Sequence, residues 1–152
     1  MTISYICKPY YDLSLDELYE ILRARQEVFV VEQNCPYQDA DGKDKYAYHL
    51  LGRGDDGLLH CYTRLLPPGV SYEGYCSIGR VINSKQVRGM GHGKILMQES
   101  ISRIHDLYPG IPVKIGAQAY LKRFYEGFGF VDIGEPYLED GIPHIIMVLE
   151  RL

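Results

Sequence analysis

The chain has 152 residues, enough for one domain with its own core, and its 46% hydrophobic and 24% charged content is ordinary for a soluble protein. A net charge of −4 without a basic stripe argues against a nucleic-acid partner. Four cysteines without a C-x-x-C pair argue against a disulfide framework, and no apolar run reaches the length of a membrane span. The start, MTISYICKPYYD, lacks the basic and apolar stretches of a signal peptide. The expectation is therefore one domain over residues 1–152, soluble and cytoplasmic, with no membrane partner; a homodimer stays open.

ISYICKPY alternates as a first strand, and LSLDELYEILRARQEVF follows as a helix. Ser14 and Glu17 form its capping box, Leu13 and Leu18 its hydrophobic staple, and Leu15, Leu18, Leu22 and Phe29 an apolar face. A polar, turn-rich stretch leads to YAYHLLGR and GLLHCYTRLLP, which the GDDG turn joins as a hairpin. YCSIGRVIN is a further strand. From His92 to Tyr108, Met97, Ile101, Ile104 and Tyr108 recur at helical spacing. PGIPVKIGAQA supplies a breaker and a buried strand, and YLKRFYEGFGF a short helix stopped by Gly127 and Gly129. The closing segment makes two strands around EDGIP. This order of elements predicts an α/β fold on a mixed sheet, with a hairpin-rich first half and crossover helices in the second.

Between the YCSIGRVIN strand and the helix after it lies VRGMGHGKIL, with Gly89, Gly91 and Gly93 alternating. Such a loop lets a ligand approach the main chain, and a helix start presents free N–H groups, so the expected ligand is an anion. A Walker A loop would need glycine at Arg88 and a hydroxyl residue at Ile95. The dinucleotide fingerprint fails as well, because Lys94 or Leu96 stands at its third glycine. What remains is Arg88-x-x-Gly91-x-Gly93, whose backbone N–H groups can hold a pyrophosphate with Arg88 adding charge.

This arrangement resembles the acyl-CoA site of the GNAT N-acetyltransferase superfamily, whose signature is Arg/Gln-x-x-Gly-x-Gly/Ala. AYLKRFYEGFGF is similar to the family's downstream Tyr-x-x-x-Gly-Phe element. LRARQEVFVVEQNCPYQDADGKD, GRV and EDGIPHI resemble the ElaA-like branch, so the likeness runs from about Leu22 to Met147. It implies the acyl-CoA N-acyltransferase fold, a central mixed, mostly antiparallel sheet flanked by helices. It also implies that the strand before the loop splays from the strand after the second long helix. Acetyl-CoA would then lie with its pantetheine arm against the main chain of Val81, Ile82 and Asn83. Its pyrophosphate would lie in the loop of Arg88, Gly89, Met90, Gly91, His92 and Gly93.

By the same resemblance Tyr125 is the general acid that protonates the leaving thiolate; the alternative is a core tyrosine. Gln118 either touches pantetheine or caps a helix. Glu32, His49 and His144 are candidate bases, each with a structural alternative: a lone histidine as a hydrogen-bonder, Glu32 as the partner of Arg25 or another arginine. Arg64 and Arg80 sit in apolar strands; Arg64 is read as a carboxylate partner, Arg80 as either that or an anchor for the acceptor. Cys35 has no evident base beside it, and the five histidines show no metal-ligand spacing, so no metal is expected. The expected activity is direct acetyl transfer from acetyl-CoA to a small-molecule or peptide amine in a ternary complex. A longer acyl-CoA, or an acyl-CoA sensor without turnover, are the alternatives.

Overall fold

The structure, a computed structural model, describes residues 1–150. Strands β1 (Ile3–Pro9), β2 (Tyr48–Gly54), β3 (Leu59–Leu66) and β4 (Ser77–Asn83) form an antiparallel sheet in that order. A second antiparallel sheet places β7 (Ile142–Leu149) between β5 (Val113–Gln118) and β6 (Val131–Glu139). The single mixed sheet of the sequence reading is thus two sheets that meet at one parallel bridge, Cys76 to Val113. There the Cys76 N–H donates to the Pro112 carbonyl at 3.1 Å, and the Lys114 N–H donates to the Cys76 carbonyl at 2.9 Å.

Beyond that bridge β4 and β5 separate, and β4 shows why. Thr63 of β3 stands opposite two residues, Arg80 and Val81, so β4 carries a bulge. Arg80 holds φ at +52°, a left-handed conformation that a non-glycine residue adopts only when its surroundings compel it. The extra residue also switches faces. Ile78 packs in the core beneath α2 (His92–Leu107), whereas Ile82 packs beneath α1 (Leu15–Arg25). Unbroken alternation would have put both on one face.

The N-terminus of α1 carries the expected capping box: the Glu17 N–H donates to Ser14 Oγ at 3.0 Å and the Ser14 N–H to Glu17 Oε1 at 2.8 Å. Its buried face matches the predicted one only in part. Phe29 packs against the core as expected, but Leu15 is 87% exposed, and Ile21, Ala24 and Val28 make further contacts with β2, β3 and β4. The helix is rotated because Arg25, one turn after Ile21, is drawn inside by carboxylates and fixes the buried face. Past Arg25 the chain stays helical through Glu32, but with the wider π pattern over Gln26–Glu32, a distortion that clusters at functional sites.

On the opposite face, α2 buries Leu96, Met97, Ser100 and Ile104, with Ile101 and Tyr108 packed partly against the same core. A short α3 (Lys122–Glu126) follows a 3-10 turn over Ala119–Leu121.

Candidate active site

The gap between β4 and β5 is a cleft of about 510 Å³. Val81 lines one wall; Gln118, Tyr125 and His144 line the other. Because β4 is the edge of its sheet here, its N–H and C=O groups on the β5 side have no strand partner after Cys76 among the described residues. An extended amide-bearing chain can pair with that edge as an added strand. Ile82 itself is 2% exposed and turned into the α1 core, so it can offer a ligand only its backbone. Asn83 accepts the Cys61 thiol at 3.4 Å through Oδ1, and its carbonyl accepts Arg88 Nε at 2.8 Å.

The glycine loop follows directly. Gly89 and Gly91 take φ of +80° and +82°, which their lack of a side chain permits, and Gly91 ends the loop as the N-cap of α2. Gly93 lies inside the helix, where a Cβ would meet only Asn83 Nδ2, at 3.5 Å. The side chain of Met90 is exposed and contributes no wall. His92 opens the helix with its Nδ1 buried and without a hydrogen-bond partner among the described residues. The first N–H groups of this 16-residue helix have no intrahelical acceptor, so the turn offers donors and a positive dipole end to an anion. Arg88 stands beside it, its Nη2 donating to Glu32 Oε2 at 2.7 Å.

On the other wall, Gln118, His144 and Tyr137 face each other across β5, β7 and β6 and form one row on the sheet surface. The Tyr137 ring stacks on His144 with centroids 5.2 Å apart and 29° between planes. Its hydroxyl reaches β5 above Gly116, where any Cβ would collide with it, and the Tyr72 hydroxyl lies near the same point. Burial, the Glu139 carboxylate and Tyr72 together push the Tyr137 hydroxyl up to about 12. Tyr125, 8% exposed, packs edge-on against Phe124 and Phe130, and its hydroxyl has no hydrogen-bond partner among the described residues. Burial, with a smaller push from Tyr120, raises that hydroxyl to about 12, so it carries its proton at neutral pH. Gln118 makes no side-chain cap to the turn it precedes, which removes the capping alternative and leaves it facing the cleft.

The remaining candidates divide sharply. His49 is fully buried, with Nδ1 2.7 Å from the Tyr62 hydroxyl and Nε2 3.0 Å from the Asp44 carbonyl. Burial, reinforced by Arg25 and Arg64 and partly opposed by Asp44, lowers its pKa. It lies away from the cleft with both nitrogens engaged, so the sequence expectation of a base at this position is corrected. Glu32 also lies off the cleft lining, and its carboxylate meets Arg88 and, at 3.7 Å, Lys85 rather than Arg25. It is engaged at the glycine loop, outside the cleft.

Arg25 instead donates to Asp39 and Asp44, each at 2.7 Å, and to the Asp39 carbonyl at 3.0 Å. Arg64 grips Asp41 with both Nη atoms, at 2.8 and 2.9 Å, and adds Asp44 at 3.0 Å. Arg80 joins through Asp39 at 2.8 Å and Asp41 at 3.3 Å, and its guanidinium lies 5.7 Å from the Tyr37 ring centroid. Arg80 does line the cleft, but this chain's own aspartates already occupy it. Cys35 lines the cleft as well; desolvation and the neighbouring Asp140 push its thiol up, which disfavours a nucleophilic role.

Sequence reasoning missed Asp39, Asp44, Tyr137 and Glu139. Gly116 was the one available signal, since a glycine inside a strand often marks a close approach. Among the described residues no group of three or more His, Cys, Asp or Glu could hold a metal ion, and no helix is long and apolar enough to cross a membrane.

Comparison with known proteins agrees with this geometry. Residues 62–151 match the model of the acetyltransferase (GNAT) domain. Protein ElaA of Escherichia coli is 46% identical over 141 residues, covering 91% of each chain. A UPF0039 protein of Synechocystis is 45% identical over 148 residues, covering 97% of this chain and 96% of that one. A crystal structure of an acyl-CoA N-acyltransferase from Pseudomonas aeruginosa superposes with a TM-score of 0.92 at 46% identity, over 97% of this chain and 99% of that one. The crystal structure of Escherichia coli ElaA gives 0.91, over 98% and 100%.

Proposed function

The chain belongs to the GNAT acetyltransferase family, alongside the ElaA proteins, and from that premise we propose that it moves an acetyl group from acetyl-CoA directly to an amine nitrogen. The observation that carries this reading is the unpaired edge of β4, which runs along the cleft and into the glycine loop at the start of α2. That edge fits the two amides of a pantetheine arm, and the loop with its helix N-terminus fits a pyrophosphate. Positioning both substrates in one cleft supplies most of the required catalysis, because a thiol is already a fair leaving group.

Tyr125 is the proton donor to the departing thiolate in this reading. Its hydroxyl makes no hydrogen bond among the described residues, is protonated at neutral pH, and is set in the cleft wall. An acyl-CoA sensor would have no use for such a donor, which favours turnover. The test is thiol release from acetyl-CoA with a panel of amines, comparing wild type with Tyr125→Phe. The phenylalanine ring keeps the packing, so stability and CoA affinity should hold while kcat falls about 10²-fold, the lower end for a general acid. CoA binding without thiol release for any amine would favour the sensor.

A further inference from the structure

We propose that His144 is the general base, and that the acceptor it serves is an aliphatic primary amine arriving as its ammonium ion; this rests on the acetyltransferase reading above. The first support is a fixed tautomer. His144 Nδ1 lies 2.7 Å from the Ile142 carbonyl, an acceptor with no proton to give, so Nδ1 carries the hydrogen. The lone pair of the neutral ring is then on Nε2, in a side chain that lines the cleft on the same wall as Tyr125. The second support is orientation. Tyr137 stacks over the imidazole, and its hydroxyl is seated above Gly116, so the ring is clamped between its own backbone and a neighbouring strand. The third is the charge that would follow protonation: Glu139 Oε2 is 3.5 Å from Nε2, with the Glu139 side chain 62% exposed at the rim.

The groups around the ring are Tyr137 and Glu139 of β6, Asp140 in the hairpin turn, and Gln118 of β5, with Tyr72 close to the Tyr137 hydroxyl. None is a cation. The cationic side chains lining the cleft are elsewhere: Arg64 and Arg80 are paired to aspartates, and Lys43 Nζ donates to Ser71 Oγ at 2.9 Å. An ammonium ion at the His144 end of the cleft therefore meets the Glu139 carboxylate and the Tyr137 hydroxyl, and His144 Nε2 is the ring nitrogen placed to take its proton.

The protons balance as follows. Nε2 takes one proton from the ammonium, leaving a neutral amine and an imidazolium facing Glu139. The amine nitrogen forms its bond to the thioester carbonyl carbon and the carbon–sulfur bond breaks. The second nitrogen proton is lost as Tyr125 gives its own to the thiolate and is reprotonated. Imidazolium then releases its proton to solvent past Glu139. The sum is ammonium plus acetyl thioester giving amide, thiol and one proton.

His144→Asn tests this. Asparagine can keep a donor toward the Ile142 carbonyl while removing Nε2. Two probes of similar size are compared at neutral pH: ethylamine, which is protonated there, and trifluoroethylamine, which is not. The expected result is a loss of about 10² in kcat/KM for ethylamine and only a few-fold loss for trifluoroethylamine, since the latter needs no initial deprotonation. Equal losses for both, or none, would overturn the assignment and make His144 a structural residue. Should His144→Asn fail to fold, the exposed Glu139→Gln decides: a few-fold loss confined to ethylamine supports the proposal, and no selective loss refutes it. Wild-type protein that binds CoA by calorimetry yet turns over neither amine refutes the acceptor class. Failure to bind CoA at all removes the acetyltransferase reading itself.

Discussion

Residues 39–44 and residues 84–93 both bear on β4, yet they hold their shapes by opposite means. The first segment is tied to α1, β3 and β4 by three arginines and three aspartates that lie largely out of solvent. The second is shaped by backbone conformation, with two glycines at positive φ and open space where their side chains would be. One region therefore spends its polar groups on itself and leaves little for a ligand. The other keeps main-chain donors free. The contrast separates stability from binding: substitutions in 39–44 and its partners should unfold the protein, and substitutions in 84–93 should alter CoA affinity in a protein that still folds.

The largest effect is expected at Arg25. It is 0% exposed, and its removal leaves the buried Asp39 with Arg80 and the buried Asp44 with Arg64 as their remaining arginine partners. Breaking a buried pair from one side costs about 3–5 kcal/mol, a large part of an ordinary domain's stability. Urea unfolding of Arg25→Met should show a loss of that size; a change under about 1 kcal/mol would mean the network is not what holds this region. Acid sensitivity sharpens the point. Burial alone would raise the carboxyls of Asp41 and Asp44, but hydrogen bonds and charge outweigh it and hold both low: Arg64 and Arg80 with the Lys43 N–H at Asp41, Arg25 and Arg64 at Asp44. A depressed carboxyl gives stability above its unfolded value, about 3.9, and loses it as pH falls toward the folded value. Wild-type stability should fall across that acidic window, and in Arg25→Met the Asp44 share of the slope should shrink.

This contrast also explains what could be read from the chain alone. The glycine loop was legible because its shape is set by backbone, and backbone needs are written locally as Gly89, Gly91 and Gly93. The capping box at Ser14 and Glu17 was legible for the same reason, three residues apart. The arginine network was not. Arg25 and Asp44 are 19 residues apart, Arg80 and Asp39 are 41 apart, and no periodicity links them. That blindness misled the reading of α1, where leucine spacing picked a face containing Leu15 while the buried pair at Arg25 turned the helix toward Ile21. His49 and His144 looked alike in sequence. Only the fold distinguishes a ring sealed between Tyr62 and Asp44 from one that lines the cleft beside Glu139.

Gly93 gives the next effect in size and the cleaner test of the loop. A bulky residue at Gly91 would be strained at φ +82° whatever the ligand did, so lost binding there could reflect a deformed loop. At Gly93 the backbone is helical and a Cβ meets only Asn83 Nδ2 at an ordinary distance. Gly93→Ala should leave stability unchanged or slightly raised, since alanine favours a helix over glycine by up to about 1 kcal/mol. If pyrophosphate approaches that main chain, CoA affinity measured by calorimetry should drop about tenfold, a cost of about 1.4 kcal/mol. Unchanged affinity would place the phosphate elsewhere.

The smallest expected effect lies where the π-helical extension of α1 meets the glycine loop. Glu32 ends the π-helical stretch whose Val28 and Phe29 line the cleft, and its carboxylate holds Arg88 at the glycine loop. That carboxylate offsets the positive charge of Arg88 and Lys85 at the place where a pyrophosphate would bind. Glu32→Gln keeps an amide oxygen for the Arg88 hydrogen bond and removes only the charge. Arg88 is 43% exposed at its side chain, so solvent screens the pair, and such contacts are worth about 0.2–1 kcal/mol. CoA should therefore bind up to about fivefold more tightly to Glu32→Gln at low salt, and the gain should shrink as ionic strength rises. Weaker binding at low salt would reverse the interpretation: Glu32 would then be the group that aims Arg88 at the phosphate, and the glycine loop would depend on a side-chain tether after all.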